Sequence, residues 1–416
     1  MQKPGQIFKP PTRKLPGREA VLGADPLKTA ERAKIPPFQV MQITNEVSKR
    51  VAAGKDVISL CAGEPSARPK AGSIAATGYT GPLGTQALRE AIVGHYQNWY
   101  GVVVPASRIA VTTGSSGAFQ LVFMAAFDAG DRVGIVAPGY PAYKNMLRAL
   151  GITPVEIVVD DKTGYQPTPE LLDAAVSEHG ELAGLVIAAP ANPTGSMLSR
   201  EGYTAISQWC AKQRVRLISD EIYHGISYLD PVDADWRGIT ALELNPEAIV
   251  INSFSKYWGM TGWRLGWAVL PEQLLETFTA LASNFALSPP APAQELALSA
   301  FSEQSYAERD AVVADFARSR QLILDAEATL GFGVAAPADG AFYYYVDLGE
   351  QLLSRFGSAT EYAAALLDGA EVAVVPGTDF DPVNGWRTIR LSYAAGYDNV
   401  ATALERIKQF NAGSGA

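Results

Sequence analysis

The sequence predicts an α/β protein: a large domain with a mostly parallel sheet flanked by helices, plus a smaller α+β domain formed by the N- and C-terminal parts. Three observations predict it. Short apolar, β-branched runs recur at 132–137, 184–189, 215–219 and 248–251, the composition of buried strands. The segments between them, such as 198–213, are long enough for crossover helices, which is the βαβ pattern of a parallel sheet. After Pro289-Pro290 the pattern changes to long helical stretches over 294–330, then strand-like runs at 340–347, 372–375 and 386–393. The expected division is an arm at 1–34, a small domain from 35–60 and 286–416, and a large domain at 61–285.

The arm holds five prolines in an unpatterned stretch. A helix is expected at 37–53, with Val40, Ile43, Val47 and Val51 on one face. A short strand at 56–60 runs into the loop Cys61-Ala62-Gly63-Glu64-Pro65. A turn-rich loop, Gly78 to Gly84, precedes a helix at 85–100. The strand 109–113 leads to Gly114-Ser115-Ser116-Gly117-Ala118, expected to open a helix over 119–128 that Gly130 stops. A glycine-rich helix entry gathers free N–H groups and the positive dipole end, a ready phosphate site. A last helix is expected from Asp398, as N-cap, to Phe410.

Composition narrows the function. A hydrophobic content of 48% and a charged content of 19% describe an ordinary soluble protein. The net charge of -9 argues against a nucleic-acid footprint. The two cysteines, Cys61 and Cys210, form no disulfide framework and fit a reduced, cytoplasmic setting. The three histidines join no His/Cys cluster, so no metal site is expected. The N-terminus lacks the apolar core of a signal peptide, and no apolar run reaches membrane-spanning length.

The predicted strands end at chemically useful residues. Tyr140, Asn192, Asp220 and Lys256 each follow an apolar run, and ligands in parallel sheets sit outside the carboxyl ends of the strands. Lys256 is a lone lysine at the mouth of a buried strand, where desolvation is costly and yields an amine nucleophile suited to Schiff-base chemistry. Asp220 at a strand end is a helix N-cap or the partner of a pyridinium nitrogen. Asn192 is a turn residue or a donor to a ring oxygen. An aromatic such as Tyr140 can stack on a pyridine ring.

The stretch from Ser253 through Lys256 to Arg264 resembles the lysine motif of the class I/II, fold-type I aminotransferases, which depend on pyridoxal phosphate. Pro190-Ala191-Asn192-Pro193-Thr194-Gly195 and Asp220-Glu221-Ile222-Tyr223 are similar to further motifs of that family. The resemblance implies that Lys256 forms the Schiff base with the cofactor and that Ser253 and Arg264 hold its phosphate, with Ser115, Ser116 and Gly117 completing the cup. It implies that Tyr140 stacks on the ring, Asp220 holds the ring nitrogen, and Asn192 and Tyr223 bond the ring oxygen. It implies that Tyr79 crosses to the phosphate of a neighbouring subunit's cofactor, and with it a homodimer. It further implies that Gly63, Asn192 and Arg390 face the substrate, with Arg390 gripping its carboxylate.

The implied activity is ping-pong transfer of an amino group between an L-amino acid and a 2-oxo acid. A β- or γ-lyase or a synthase on the same fold is the alternative, because it uses the same cofactor residues. Ser253-x-x-Lys256, Tyr96-x-Asn98 and Lys162-Thr163-Gly164 spell the elements of a penicillin-interacting serine acylase, but in the wrong chain order. A cofactor-binding transcription regulator would need a DNA-binding domain that a short, proline-rich arm does not supply. Donor and acceptor stay open.

Overall fold

The computed structural model describes residues 39–61, 78–230 and 235–413. The arm at 1–34 and Gly63 lie outside them. Helix α1 (Gln39–Ala52) and the short strand β1 (Ile58–Ser59) come first. Ile43 and Val47 pack with Tyr345, Leu367 and Val375, so the N-terminal segment joins the C-terminal part of the chain. Helix α2 (Gln86–Tyr100) begins at Thr85, whose side chain accepts from the Leu88 N–H, and ends at Gly101 with φ 69°.

The central layer follows. Strand β2 (Ile109–Thr112) leads directly into α3 (Gly114–Ala126). This corrects the expected 119–128: the glycine–serine run is the first helical turn, and the helix ends before Gly130. Then come β3 (Arg132–Ala137), α4 (Pro141–Ala149), β4 (Thr153–Val158), α5 (Pro169–His179) and β5 (Gly184–Ala188). Helix α6 (Arg200–Gln213), β6 (Arg216–Asp220), β7 (Ile249–Ser253) and β8 (Gly266–Val269) complete it.

The seven strands lie in the order β2-β8-β7-β6-β5-β3-β4. From β7 to β4 every pairing is parallel, as the sequence predicts. Strand β8 runs antiparallel to both neighbours. No crossover helix separates it from β7: the intervening loop folds back so that Gly266 pairs with Ser253. Phe119, Phe123 and Leu147 from α3 and α4 cover one face. Leu172, Tyr203 and Ile206 from α5 and α6, with Leu88 and Ile92 of α2, belong to the core on the other. Helices on both faces explain why the central strands are apolar throughout.

The C-terminal part holds α7 (Glu272–Phe285), α8 (Ala291–Ala297), the long α9 (Glu303–Leu330), β9 (Tyr343–Asp347), α10 (Gly349–Phe356) and α11 (Ala359–Ala370). Strands β10 (Val372–Ala373), β11 (Val375–Pro376) and β12 (Thr388–Ser392) precede α12 (Tyr397–Asn411). The order β11-β12-β9 makes a small antiparallel sheet, and β1 pairs in parallel with β10. Gly396, not Asp398, caps α12; Asp398 sits in its first turn, where a carboxylate suits the dipole. The segment 338–341 is sewn to the central layer by Gly340 N–H to Gly195 O at 2.8 Å and Ala341 N–H to Ile226 O at 2.9 Å.

Candidate functional site

Lys256 sits in the loop that leaves β7. Its neighbours hold the loop still. Phe254, Tyr257 and Trp258 are buried, the Tyr257 hydroxyl donates to Asp310 at 2.6 Å, and the Trp258 indole donates to Ala300 O at 2.9 Å. Lys256 Nζ lies 5.7 Å from the Tyr223 ring centre and 5.9 Å from that of Phe342, half-buried among aromatic rings.

Asp220 is the last residue of β6 and is 4% exposed. The Ile222 N–H donates to its Oδ1 at 3.1 Å, and the Tyr143 hydroxyl donates to its Oδ2. Burial pushes its carboxyl up to about 6, while the two donors and the Lys256 charge pull it back. Tyr143 also packs on Phe119, with ring centres 4.9 Å apart, as a packing residue would. No sequence motif assigns Tyr143 this bond to Asp220. The available signal was Tyr140-x-x-Tyr143: across the start of α4, positions three apart share a face. Tyr140 stands edge-on to Tyr143 at 5.4 Å.

A second group gathers at the start of α3. Its N-cap residue, Thr113, makes no side-chain cap bond, so Ser115, Ser116 and Gly117 form an uncapped helix entry. Arg264 lies against it, and a Cβ on Gly114, whose φ is +70°, would fall 2.7 Å from the guanidinium. A Cβ on Gly266 would fall 2.8 Å from Ser115 N, so this glycine lets the helix start rest on the strand. Ser253, fully buried, bonds Ser255 Oγ at 2.9 Å and Leu265 O at 3.1 Å. Ser116 and Arg264 are exposed, which leaves this cradle open on one side.

The third group meets around Arg390 of β12, 3% exposed. Its Nη1 donates to Asn192 Oδ1 at 2.8 Å and its Nη2 to Cys61 O at 3.0 Å. The guanidinium carbon sits 4.3 Å from the Tyr343 ring centre and 4.8 Å from that of Phe380. Its Nε is buried without a hydrogen-bond partner, an orphaned donor suited to a carboxylate guest. Tyr223 is buried, and its hydroxyl is 2.7 Å from that of Tyr343. Tyr343 and Phe380 carry no assignment from the sequence, because only the folded small sheet sets them against Arg390: Tyr343 lies on β9, the neighbour of β12, and Phe380 follows β11. Tyr79 is 85% exposed, on the loop that Gln294 ties down through Thr80.

These features fit pyridoxal phosphate. The uncapped helix entry with its glycine cradle and Arg264 suits a phosphate. A buried carboxylate suits a ring nitrogen, and a lysine beside it suits an aldehyde. Among the described residues, no group of three or more His, Cys, Asp or Glu is arranged to hold a metal ion. No described helix is long and apolar enough to cross a membrane.

The family model described as aminotransferase class I and II matches residues 55–407. The valine–pyruvate aminotransferase of Mycobacterium tuberculosis is 41% identical over 390 residues, 91% of this chain and 97% of that protein. The aspartate aminotransferase of Geobacillus stearothermophilus is 32% identical, covering 92% of this chain and 99% of its own length. The crystal structure of an aminotransferase from Mycobacterium tuberculosis superposes with a TM-score of 0.85 at 39% identity, over 93% of this chain and 99% of that one. The motifs, the sheet and these relatives agree: this chain belongs to the class I and II aminotransferases, and it is an enzyme of that kind.

Proposed function

We propose that the enzyme uses pyridoxal phosphate to move the amino group of an apolar L-amino acid to a small 2-oxo acid, valine and pyruvate being the first pair to test. The bound cofactor supplies an electron sink next to the substrate's amino nitrogen. Lys256 Nζ carries the cofactor and moves the substrate's α-proton. Asp220 keeps a proton on the ring nitrogen, and Tyr223 and Asn192 donate to the ring oxygen. Tyr140 lies on the ring face. Ser115, Ser116 and Gly117 at the α3 entry, with Ser253 and Arg264, take the phosphate.

Arg390 grips the α-carboxylate; the substrate role expected of Gly63 falls outside the described residues. The orphaned Arg390 Nε carries this reading, because a buried guanidinium donor without an acceptor calls for an anionic guest. The apolar donor rests on the rings of Tyr223, Phe342, Tyr343 and Phe380, which stand closest to Lys256 and Arg390. The valine–pyruvate relative supports the same choice.

Two turnover halves share one site, so the kinetics are ping-pong. Tyr79 completes the phosphate site of a second copy, in a cytoplasmic homodimer whose thiols Cys61 and Cys210 stay reduced. The arm 1–34, the small domain 35–60 with 286–416, and the large domain 61–285 are the working division. The test adds single amino acids to the cofactor-loaded protein and records its visible absorption. Valine should bleach the band and yield its 2-oxo acid. Bleaching by aspartate alone would overturn the apolar donor. A protein that stays colourless with pyridoxal phosphate would overturn the whole reading.

A further inference from the structure

We propose that Tyr343 is a positioning residue that couples the carboxylate grip of Arg390 to the hydroxyl of Tyr223; this rests on the function proposed above. Tyr343 is 1% exposed and touches both partners at once. Its hydroxyl is 2.7 Å from the Tyr223 hydroxyl, and its ring face lies 4.3 Å under the Arg390 guanidinium.

The segment before it is fixed. Ala338 and Ala341 hold φ of 52° and 57°, a left-handed backbone that alanine adopts only under constraint. The constraint is visible: Arg320 Nε donates to Ala338 O at 2.7 Å, and the Tyr228 hydroxyl donates to Ala341 O at 2.6 Å. Tyr343 is therefore delivered to a set position.

The hydrogen-bond arithmetic gives it a direction. A phenol has one O–H to donate. When Tyr223 spends its own on the cofactor ring oxygen, the bond between the two hydroxyls must run from Tyr343 to Tyr223. Accepting that bond strengthens Tyr223 as a donor. On the other side, the Arg390 cation over the ring draws electron density from Tyr343. A substrate carboxylate on Arg390 neutralises that charge, so occupancy of the grip is felt at Tyr223 through one ring.

The test compares wild type, Tyr223→Phe, Tyr343→Phe and Tyr343→Leu, all loaded with pyridoxal phosphate, by the pH midpoint of their visible absorption. Deprotonation places negative charge on the ring oxygen, so a weaker Tyr223 donor raises the midpoint. Tyr343→Phe should raise it by about 0.3 pH unit, and Tyr223→Phe by more. Tyr343→Leu also removes the ring under Arg390, so its KM for the amino donor should exceed that of Tyr343→Phe about tenfold. A Tyr343→Phe midpoint equal to wild type while Tyr223→Phe shifts would overturn the coupling alone. A wild type that develops no visible band would instead overturn the proposed function.

Discussion

The two ends of the site are assembled on different scales. Ser253, Lys256 and Arg264 come from one loop whose start and end pair across β7 and β8. Arg390, in contrast, meets Asn192 across 198 positions of chain and Cys61 across 329. The first end takes its three residues from one local stretch of backbone, which Asp310, Ala300 and the start of α3 then hold in place. The second exists only because the small antiparallel sheet docks on the large one, through Gly340 on Gly195 and the Gly139 N–H on Phe380 O at 3.0 Å. Substitutions at the loop end should therefore strike the chemistry, and those at the docked end should strike substrate binding.

Lys256→Ala is the largest expected effect. It removes the group that carries the cofactor and moves the proton, so turnover should fall about 10⁴-fold or more. Borohydride treatment followed by peptide mapping should give an adduct on Lys256 in the wild type and none in the variant. Asp220→Asn should lower kcat about 10²- to 10³-fold while the cofactor still binds, because the charge that balances the ring is lost. Arg390→Lys comes next. A single ammonium cannot reproduce the fork that holds Asn192 and Cys61 while reaching a guest. KM for the amino donor should rise about 10- to 100-fold with a smaller change in kcat. A loss confined to kcat would break the contrast between the two ends.

Gly114→Ala probes the cradle. The new Cβ would lie 2.7 Å from the Arg264 guanidinium, on a residue with φ +70°. Arg264 must give way, so cofactor affinity should fall about tenfold with little change in kcat at saturation. Fluorescence titration of the cofactor into the apo protein measures it.

How much was legible in the sequence follows the same divide. The strands around β7 were visible because helices cover both faces and leave uninterrupted apolar runs. Strand β8 is hidden inside the lysine motif: its Gly266 serves close approach to the start of α3, and its Trp267 packs on the other face, where the indole donates to the Tyr96 hydroxyl at 3.1 Å, so neither follows a strand pattern. The sequence places the helix start at Phe119 because glycine and serine disfavour helix, but the helix begins at Gly114, where the close approach of Arg264 leaves no room for a Cβ. Tyr143, Tyr343 and Phe380 escaped for a different reason: an aromatic side chain near a site looks like core until its polar or charged partner is located in space.

Asp220 and Glu221 carry the contrast down to adjacent residues. Both are buried, but Asp220 bonds the Tyr143 hydroxyl beside the site, whereas Glu221 Oε1 accepts from Ala241 N–H at 2.8 Å, Thr240 Oγ1 at 3.0 Å and Ser219 Oγ at 3.2 Å. Its Oε2 is buried without a hydrogen bond. Burial pushes the Glu221 carboxyl up to about 8. A carboxyl raised above its unfolded value binds more protons folded than unfolded, so the fold loses stability as pH climbs from the ordinary carboxylate range through about 8. Glu221→Gln keeps an acceptor for the three donors and cannot ionise. The unfolding midpoint of the apo variant should fall less between pH 5 and 8.5 than that of the wild type, with activity within about threefold because the group faces away from the chemistry. Parallel pH profiles for the two proteins would mean that Glu221 is already ionised in the fold, its charge held by those three donors.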